Sequence, residues 1–358
     1  MEREALCSLL AVPIPAFILC LPLPAPCFPG GRGVFPPTLT STSEGDHMKN
    51  SARLRRSIIS VPANREKMVN KAFNLDADVI MLDLEDSVPV NEKAEARKRA
   101  VSTFKEQDWK AKVRSYRINA MDTPFAYRDI IDIVEEAGEY IDTIVVPKVN
   151  DPAEIKAIDY LLTQIELSLG LKRPIGLEPS IETALGMLRA GEIALSSPRV
   201  ETLVFGVADY SASMTMLSKG VSGHGDKEDF YPGHRFHFPL SRMAMAAKAA
   251  GLAAIDAPYG DYKDPEGLRS SCMMGAALGY DGKWVIHPDQ IAIVNEVYSP
   301  SHEDFERSAK ILQAYEQAQA VGLGSLSLDG KMVDAASIRV AQVIYSQWEA
   351  MHRRSAKP

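Results

Sequence analysis

The chain has little cysteine and no cysteine pattern that would hold a disulfide framework or a structural zinc ion. Only four cysteines occur among 358 residues, and Cys7, Cys20 and Cys27 all fall within the first thirty. No C-x-x-C pair is present, which argues against both kinds of cross-link. Cys272 lies in an apolar helical stretch, where a packed core side chain is favoured over a nucleophile.

The chain also lacks an excess of positive charge. Forty basic residues against 47 acidic ones give a net charge of −7, so no broad positive field attracts nucleic acid or an anionic membrane. Neither a G-x-G-x-x-G motif nor a Walker loop occurs, which argues against a nucleotide-binding fold. With 46% hydrophobic residues the chain can bury a large core. Any anionic ligand must therefore be met by local basic groups.

Residues 1–47 differ in composition from the rest of the chain. The apolar stretch 9–28 contains prolines at 13, 15, 22, 24 and 26, which would interrupt a membrane helix repeatedly. The first residues also lack the net positive region of a secretory signal. We expect a disordered or non-native tail over 1–47, a natural start at Met48 and a cytoplasmic protein without a membrane partner.

From residue 54 onward, short β-branched or apolar runs alternate with segments of helical period. This is the pattern of βαβ units and a parallel sheet. Eight such units over residues 54–297 predict a closed (β/α)8 barrel. The runs cover residues 57–61, 79–82, 113–118, 143–146, 175–177, 202–205, 253–255 and 283–286.

Two acidic residues follow neighbouring runs at the point where a strand would pass into a helix. Glu182 follows Ile181 and Asp209 follows Phe205 by four residues. The carboxyl ends of barrel strands share one rim, so these carboxylates should lie together and hold one hard cation. We expect Mg²⁺, with Mn²⁺ as the alternative metal. A carboxylate at a helix N-terminus is the structural alternative for each residue.

Further polar residues are expected on the same rim. Arg117 ends the third run and can form paired hydrogen bonds with a carboxylate or an enolate oxygen. Asp83, Glu85 and Asp86 follow the second run and can support the metal or orient Arg117. An ion pair for Arg117 and helix capping for the acids are the alternatives. Glu178, Lys148 and His287 also follow predicted strands, and for His287 a structural role is favoured over a general base.

A basic segment follows the first run. Arg65, Lys67 and Lys71 lie on one helical stretch and could bind phosphates. A solvated basic face is the alternative for each of them. The glycine-rich segment 220–233 and the histidines around it, His224, His234 and His237, receive no role.

About sixty residues continue beyond the predicted barrel, over 298–358. An amphipathic helix is predicted over 305–320, a glycine-rich break at 322–324, and a last helix over 337–351. This helical extension could form a lid over this or a neighbouring site. A packing appendage without a role in the site is the alternative.

Several ordered motifs resemble the HpcH/HpaI aldolase and citrate lyase β-subunit-like family of acyl-CoA lyases. The resemblance covers residues 55–351 and is strongest to the malyl-CoA branch. The shared motifs are LDLEDSV (82–88), RIN (117–119), VPKV (146–149), IET (181–183), ADY (208–210) and IHP (286–288). The branch motifs are MDTPF (121–125), KWVIHP (283–288) and VDAASI (333–338).

This resemblance implies a Mg²⁺-dependent lyase that cleaves L-malyl-CoA or β-methylmalyl-CoA reversibly into acetyl-CoA or propionyl-CoA and glyoxylate. It implies that Glu182 and Asp209 ligate the metal and that Arg117 stabilises the thioester enolate. It further implies that Asp334, on the lid of an adjacent subunit, is the acid–base group. The protein would then be a homo-oligomer, a trimer or hexamer. Substrate or CoA contacts are expected at Ser60, Arg65, Lys71 and Arg117.

Alternatives stay open at this point. Citramalyl-CoA, which releases pyruvate, differs by one methyl group, and a pocket discriminates a methyl by only about 1–3 kcal/mol. A malyl-CoA thioesterase would use the same scaffold for hydrolysis. An inactive CoA-binding subunit is the third reading, which the presence of Arg117, Glu182, Asp209 and Asp334 together disfavours.

Overall fold

The computed structural model describes residues 53–216, 235–320, 326–328 and 331–355. All of them belong to one compact unit. The predicted tail over 1–47, the glycine-rich segment 220–233 with His224 and His234, and the glycine break at 322–324 lie outside the described residues.

Eight parallel strands close into a barrel in chain order, and the pairing of Ile58 in the first strand with Trp284 in the eighth completes the ring. The predicted (β/α)8 fold is confirmed. The strands are β1 Ser57–Pro62, β2 Val79–Asp83, β3 Val113–Arg117, β4 Thr143–Val146, β5 Gly176–Ile181, β6 Thr202–Phe205, β7 Ala253–Asp256 and β8 Gly282–Val285.

Helices follow the strands and cover the outside of the barrel. They are α1 Glu66–Ala72, α2 Lys93–Glu106, α3 Ala126–Ala137, α4 Pro152–Leu169, α5 Ala184–Leu188, α6 Ala190–Ala194, α7 Val207–Ser213, α8 His237–Ala249, α9 Pro265–Ala277, α10 Ile291–Val297, α11 His302–Ala320 and α12 Ala335–Ser355. A two-stranded antiparallel sheet, β9 Leu326–Leu328 and β10 Lys331–Val333, lies between α11 and α12 in the chain.

The barrel interior fixes which side chains reach the site. The barrel interior holds its own apolar cluster, distinct from the larger core formed with the helices. It contains residues from seven strands, among them Met81, Val113 and Val204. Since successive side chains of a strand point to opposite faces, Asp83 and Arg117, an even number of positions further on, also point inward. The apolar interior therefore ends in charged groups at the carboxyl ends of the strands.

Local capping fixes the loops that follow β4 and β5. Asp151 accepts a hydrogen bond from the Ala153 amide and forms a capping box with Glu154 at the start of α4. Thr183 caps α5 by accepting from the Gly186 amide at 2.9 Å. These caps begin the helices immediately beyond the strand ends and leave the preceding residues on the rim.

The position of Glu178 differs from the predicted one. It was expected at the rim, but it lies inside β5 with its side chain 2% exposed, and its carboxylate is 3.3 Å from the Arg55 guanidinium. Arg55 precedes β1, so this ion pair closes the opposite, amino-terminal end of the barrel. The strand runs four residues past the predicted end at 177, and this brings Glu182 rather than Glu178 to the rim.

The second half of α12 packs against that same amino-terminal end. Val343 and Met351 line a cavity of about 280 Å³ with Arg53 and Arg55, which precede β1. Within its own chain, this part of the extension therefore lies at the end of the barrel opposite to the predicted site. Among the described residues, no helix is long and apolar enough to cross a membrane.

Candidate active site

Glu182 lies directly after β5 and is 2% exposed. One of its oxygens, Oε1, accepts a hydrogen bond of 2.6 Å from the backbone N–H of Lys148. The other oxygen accepts no hydrogen bond from a described residue. Burial raises the pKa of Glu182 to about 7; Arg117 opposes the rise, and Asp209 and Glu85 add to it. A buried carboxylate whose pKa is raised in this way is stabilised in its charged form by a nearby cation, so it is a suitable metal ligand.

Asp209 lies in the first turn of α7, and its side chain is 38% exposed. Gly206 ends the loop between β6 and this helix. A Cβ at Gly206 would meet Oε2 of Glu182 at 2.0 Å, so the Glu182 carboxylate lies directly against the backbone that leads to Asp209. The structure thus brings the two predicted metal ligands to neighbouring strand ends, with Glu182 buried and Asp209 facing solvent.

Arg117 ends β3 and is 8% exposed. Its Nε and Nη2 donate to the two oxygens of Asp83 at 2.7 and 2.8 Å, and Nη1 lies 3.0 Å from Oε2 of Glu85. Burial alone would raise the pKa of Asp83, but the charge and hydrogen bonds of Arg117 lower it to about 2. Asp83 is thus a fixed, ionised partner for Arg117, and its expected supporting role in the site stays a prediction.

Lys148 follows β4 and was not expected to be a central site residue. Its ammonium donates to Glu85 and lies 3.4 Å from Asp86 and 3.8 Å from Asp209. It has a φ of 53°, in the left-handed region that non-glycine residues rarely adopt. Its position after a predicted strand and its place in the shared motif VPKV were the sequence signals that could have identified it.

Among the described residues, the acids at this rim outnumber the basic side chains. A divalent cation would offset the excess, and the two carboxylates Glu182 and Asp209 supply the oxygen ligands that Mg²⁺ prefers. No group of three or more metal-binding side chains occurs in the described part of the chain, so such a site would rely on substrate and water for its other ligands. The acids are Asp83, Glu85, Asp86, Glu182 and Asp209, and the cations are Arg117, Lys148 and Lys93, whose ammonium donates to the backbone carbonyls of Leu84 and Glu85 at 2.9 Å.

The residues expected to contact CoA lie around β1. Ser60 is in β1, two positions after the inward-pointing Ile58, and is partly buried. Arg65 precedes α1 and Lys71 lies in its last turn, and both are exposed without an ion pair to a described residue. Arg65 therefore lies close to the carboxyl end of β1, while Lys71 lies further along α1.

Two residues favour the structural alternative. His287 caps the turn Pro288–Gln290, accepting from the Asp289 amide at 3.3 Å, and stacks on Tyr262 at 4.5 Å between ring centroids. Cys272 is fully buried, and burial raises the pKa of its thiol to about 11. Cys272 is therefore not exposed to a substrate, and the contacts of His287 are those of a structural residue.

Asp334 is exposed at the N-terminus of α12. Its carboxylate accepts hydrogen bonds from the amide and hydroxyl of Ser337 at 2.9 and 3.0 Å. These bonds lower its pKa. Among the described residues, no hydrogen bond or ion pair joins Asp334 to Glu182, Asp209 or Arg117.

The family of the chain follows from comparison with known proteins. A model of the HpcH/HpaI aldolase/citrate lyase family matches residues 56–288, and a model of a C–C bond lyase of the TIM-barrel fold matches residues 242–347. The chain belongs to the HpcH/HpaI aldolase/citrate lyase family. The family and the class of carbon–carbon lyase expected from the sequence are confirmed.

Individual relatives give the same result. The chain is 40% identical over 306 residues to the L-malyl-CoA/β-methylmalyl-CoA lyase of Rhodobacter capsulatus, covering 83% of this chain and 96% of the relative. It is 34% identical to the (3S)-malyl-CoA thioesterase of Cereibacter sphaeroides, over 85% and 98%. A crystal structure of CitE from Mycobacterium tuberculosis with magnesium, acetoacetate and coenzyme A matches with a TM-score of 0.63 and 27% identity, over 86% of this chain and 100% of that chain.

Proposed function

We propose that this family member is a Mg²⁺-dependent acyl-CoA lyase that cleaves L-malyl-CoA or β-methylmalyl-CoA to acetyl-CoA or propionyl-CoA and glyoxylate. The observation that carries the proposal is the juxtaposition of the buried Glu182 with Asp209 and with the guanidinium of Arg117 at one rim. The 40% sequence identity to a lyase of this name supports the choice of substrate.

The reaction is the reverse of a Claisen addition. The hydroxyl of the malyl group gives its proton to a base, its C–O bond becomes the carbonyl of glyoxylate, and the C–C bond breaks. The released electron pair forms the enolate of the acyl-CoA, which takes a proton at carbon. A bound Mg²⁺ would supply Lewis acidity for the hydroxyl and carboxylate of the substrate. Glu182 and Asp209 would hold it there.

Arg117 would stabilise the charge that develops on the thioester oxygen. Its pKa is raised by Asp83 and Glu85 against the opposing effect of burial, so it stays a cation throughout. Asp83 fixes the plane of the guanidinium through two hydrogen bonds. A donor that is already oriented needs no reorganisation as the charge appears.

As the acid–base group, Asp334 from a neighbouring subunit would donate a proton to the enolate carbon. The carboxylate is exposed and held at a helix end, where it could be presented to another copy of the chain. Arg65, Lys71 and Ser60 would contact the CoA moiety, the first two as charges for its phosphates. The cytoplasmic location and the homo-oligomer expected from the sequence stay predictions.

A thioesterase is the second candidate, because the chain is also 34% identical to a malyl-CoA thioesterase over nearly its whole length. It would direct water to the thioester and release free malate without breaking the C–C bond. Citramalyl-CoA is an alternative substrate for the lyase itself, since its extra methyl group needs only modest room.

Product identification separates these candidates. The protein is incubated with malyl-, β-methylmalyl- and citramalyl-CoA, with MgCl2 or with EDTA, and glyoxylate, pyruvate, free malate and free CoA are quantified. The proposal expects glyoxylate and acetyl-CoA or propionyl-CoA, with loss of turnover in EDTA. Free malate with no glyoxylate would replace the lyase by the hydrolase, and pyruvate as the main product would replace the substrate.

A further inference from the structure

Lys148 touches both proposed metal ligands through different atoms. Its backbone N–H donates to Oε1 of Glu182 at 2.6 Å, while its ammonium lies 3.8 Å from Oδ1 of Asp209. A single residue therefore holds one carboxylate by the main chain and approaches the other by the side chain. The backbone contact occupies one oxygen of Glu182 and leaves the second oxygen for another partner.

The same ammonium also engages two acids that are not proposed metal ligands. It donates to Glu85, whose side chain is 7% exposed, and lies 3.4 Å from Asp86. Glu85 also pairs with Arg117. Its pKa is nevertheless raised, mainly by burial, so its negative charge is costly without further cationic partners. Without the ammonium, Glu85 and Asp86 would be further anionic groups beside a divalent cation.

The backbone of Lys148 indicates that this placement is specific. Its φ of 53° is costly for a residue with a Cβ, and asparagine or glycine would adopt it more readily. Such strain persists where surrounding interactions determine the conformation, and it concentrates at functional sites. Here the strained backbone is what aims the amide at Glu182 and the side chain at Glu85.

We propose that Lys148 is a positioning residue that limits the protein's share of the metal site to Glu182 and Asp209. This inference rests on the proposed metal site. By pairing with Glu85 and Asp86, the ammonium keeps both acids from the cation, and its own charge lowers the affinity of the free site for Mg²⁺. Coordination positions and positive potential are thereby kept for the anionic substrate.

The test measures two affinities that this role moves in opposite directions. In Lys148→Met, calorimetric titration of the ligand-free protein with MgCl2 alone should show tighter binding, on the order of tenfold, because a like charge is lost and two acids are released. The KM for malyl-CoA at saturating Mg²⁺ should rise on the order of tenfold or more, because the site has become more negative. A variant that only disordered the site would weaken the binding of Mg²⁺ and of malyl-CoA alike.

Three further variants identify the group responsible. Lys148→Gly keeps the backbone N–H and suits the positive φ, so it should match Lys148→Met in Mg²⁺ affinity. Lys148→Arg keeps the charge, so its Mg²⁺ affinity and its KM for malyl-CoA should lie close to those of the wild type. Lys156→Met, at an exposed lysine of α4, removes the same charge away from the rim and should change neither value.

The outcomes separate this inference from the proposed function. Equal or weaker Mg²⁺ binding by Lys148→Met, while the wild type binds Mg²⁺ and cleaves malyl-CoA, would overturn the role of Lys148 alone. A wild type that shows no Mg²⁺ binding would overturn the metal site itself, and the role of Lys148 with it. Tighter metal binding together with a higher KM supports the inference.

Discussion

At the scale of single residues, the geometry of Arg117 is the feature that another cation cannot reproduce. Its planar guanidinium uses Nε and Nη2 on Asp83 and still directs Nη1 toward Glu85. A lysine ammonium has no such arrangement of donors. The positive charge of Arg117 and the direction of its N–H donors are therefore separate properties, and a lysine at this position keeps the first without the second.

Arg117→Lys should retain Mg²⁺ binding but lower kcat by about 100-fold, because a displaced donor meets the developing oxyanion poorly. The matched control is Arg128→Lys on α3, where an exposed arginine pairs with Asp132 four residues later. The control should keep the kcat of the wild type. Steady-state kinetics with calorimetric Mg²⁺ titration would check this, and an unchanged kcat in Arg117→Lys would remove the orientation argument.

Glu182 gives a prediction for the pH dependence of stability. Its pKa rises from an ordinary 4.5 to about 7 in the folded protein, mainly through burial. A raised pKa means that the folded state binds the proton more tightly than the unfolded state. The resulting stability is fully present below pH 4.5 and is lost as the pH rises through 7.

In EDTA, Glu182→Gln should therefore become more stable than the wild type as the pH rises from 5 to 8, by about 2–3 kcal/mol. The neutral amide avoids the cost of burying an unpaired charge. Adding MgCl2 at pH 8 should raise the Tm of the wild type and leave that of the variant nearly unchanged. Parallel melting curves at all pH values, with equal Mg²⁺ responses, would contradict the assignment.

At the scale of elements, the junction between β6 and α7 places the two proposed metal ligands together. Gly206 is needed there because a Cβ would meet Oε2 and Cβ of Glu182 at 2.0 and 2.4 Å. Gly206→Ala should displace the Glu182 side chain and weaken Mg²⁺ binding by at least tenfold, with a loss of stability of about 1–3 kcal/mol from overpacking.

The control for this variant is Gly191→Ala in α6, where an added Cβ meets no atom within 4 Å. It should keep Mg²⁺ affinity and stabilise the helix by about 0.5–1 kcal/mol. Calorimetric titration and thermal unfolding of both variants measure the two effects. Normal Mg²⁺ binding in Gly206→Ala would show that the contact between β5 and β6 does not position the ligand.

The elements that could be predicted are those whose hydrophobic period is clear. Strands at 143–146 and 202–205 were predicted with the observed bounds, because they are short apolar runs between polar turns. β5 was predicted too short, since its polar residues Glu178 and Ser180 face the barrel interior and interrupt the apolar run. The helical segment after β5 divides into two short helices, α5 and α6, with Arg189 between them.

The candidate site could be predicted in outline for the same reason. A barrel collects its strand ends on one rim, so the acids after β2, β5 and β6 and the arginine of β3 could be grouped from sequence order alone. The partners could not be predicted, because they depend on register. Asp83 lies opposite Arg117 in the pairing of β2 with β3, and the backbone of Lys148 reaches Glu182 through a positive φ.

At the scale of the whole molecule, the placement of the C-terminal extension bears on whether a second chain completes the proposed site. The last turns of α12 line a cavity at the amino-terminal end of their own barrel, away from the proposed site. Asp334, at the start of the same helix, is exposed and bonded only within its own first turn among the described residues. An acid with this placement is available to a second copy of the chain.

If Asp334 acts on a neighbouring barrel, two inactive variants should complement each other. Asp334→Asn keeps a capping side chain, so it should fold, bind Mg²⁺ and CoA, and lose turnover. When it is coexpressed with Arg117→Ala under two affinity tags, mixed oligomers contain sites with an intact barrel and an intact lid. Random mixing gives about a quarter of the sites both native groups, half for the barrel times half for the lid.

Double purification removes the homo-oligomers, so mixed oligomers should recover about a third of the wild-type kcat in a trimer and about a quarter in a hexamer, because each site needs one group from each of two chains. Mixing Arg117→Ala with Glu182→Gln is the matched control and should recover nothing, since both defects lie on the barrel. Mixed oligomers of the first pair that stay inactive would place Asp334 in its own chain's site or outside catalysis. Turnover at the wild-type level in Asp334→Asn alone would exclude it as the acid–base group.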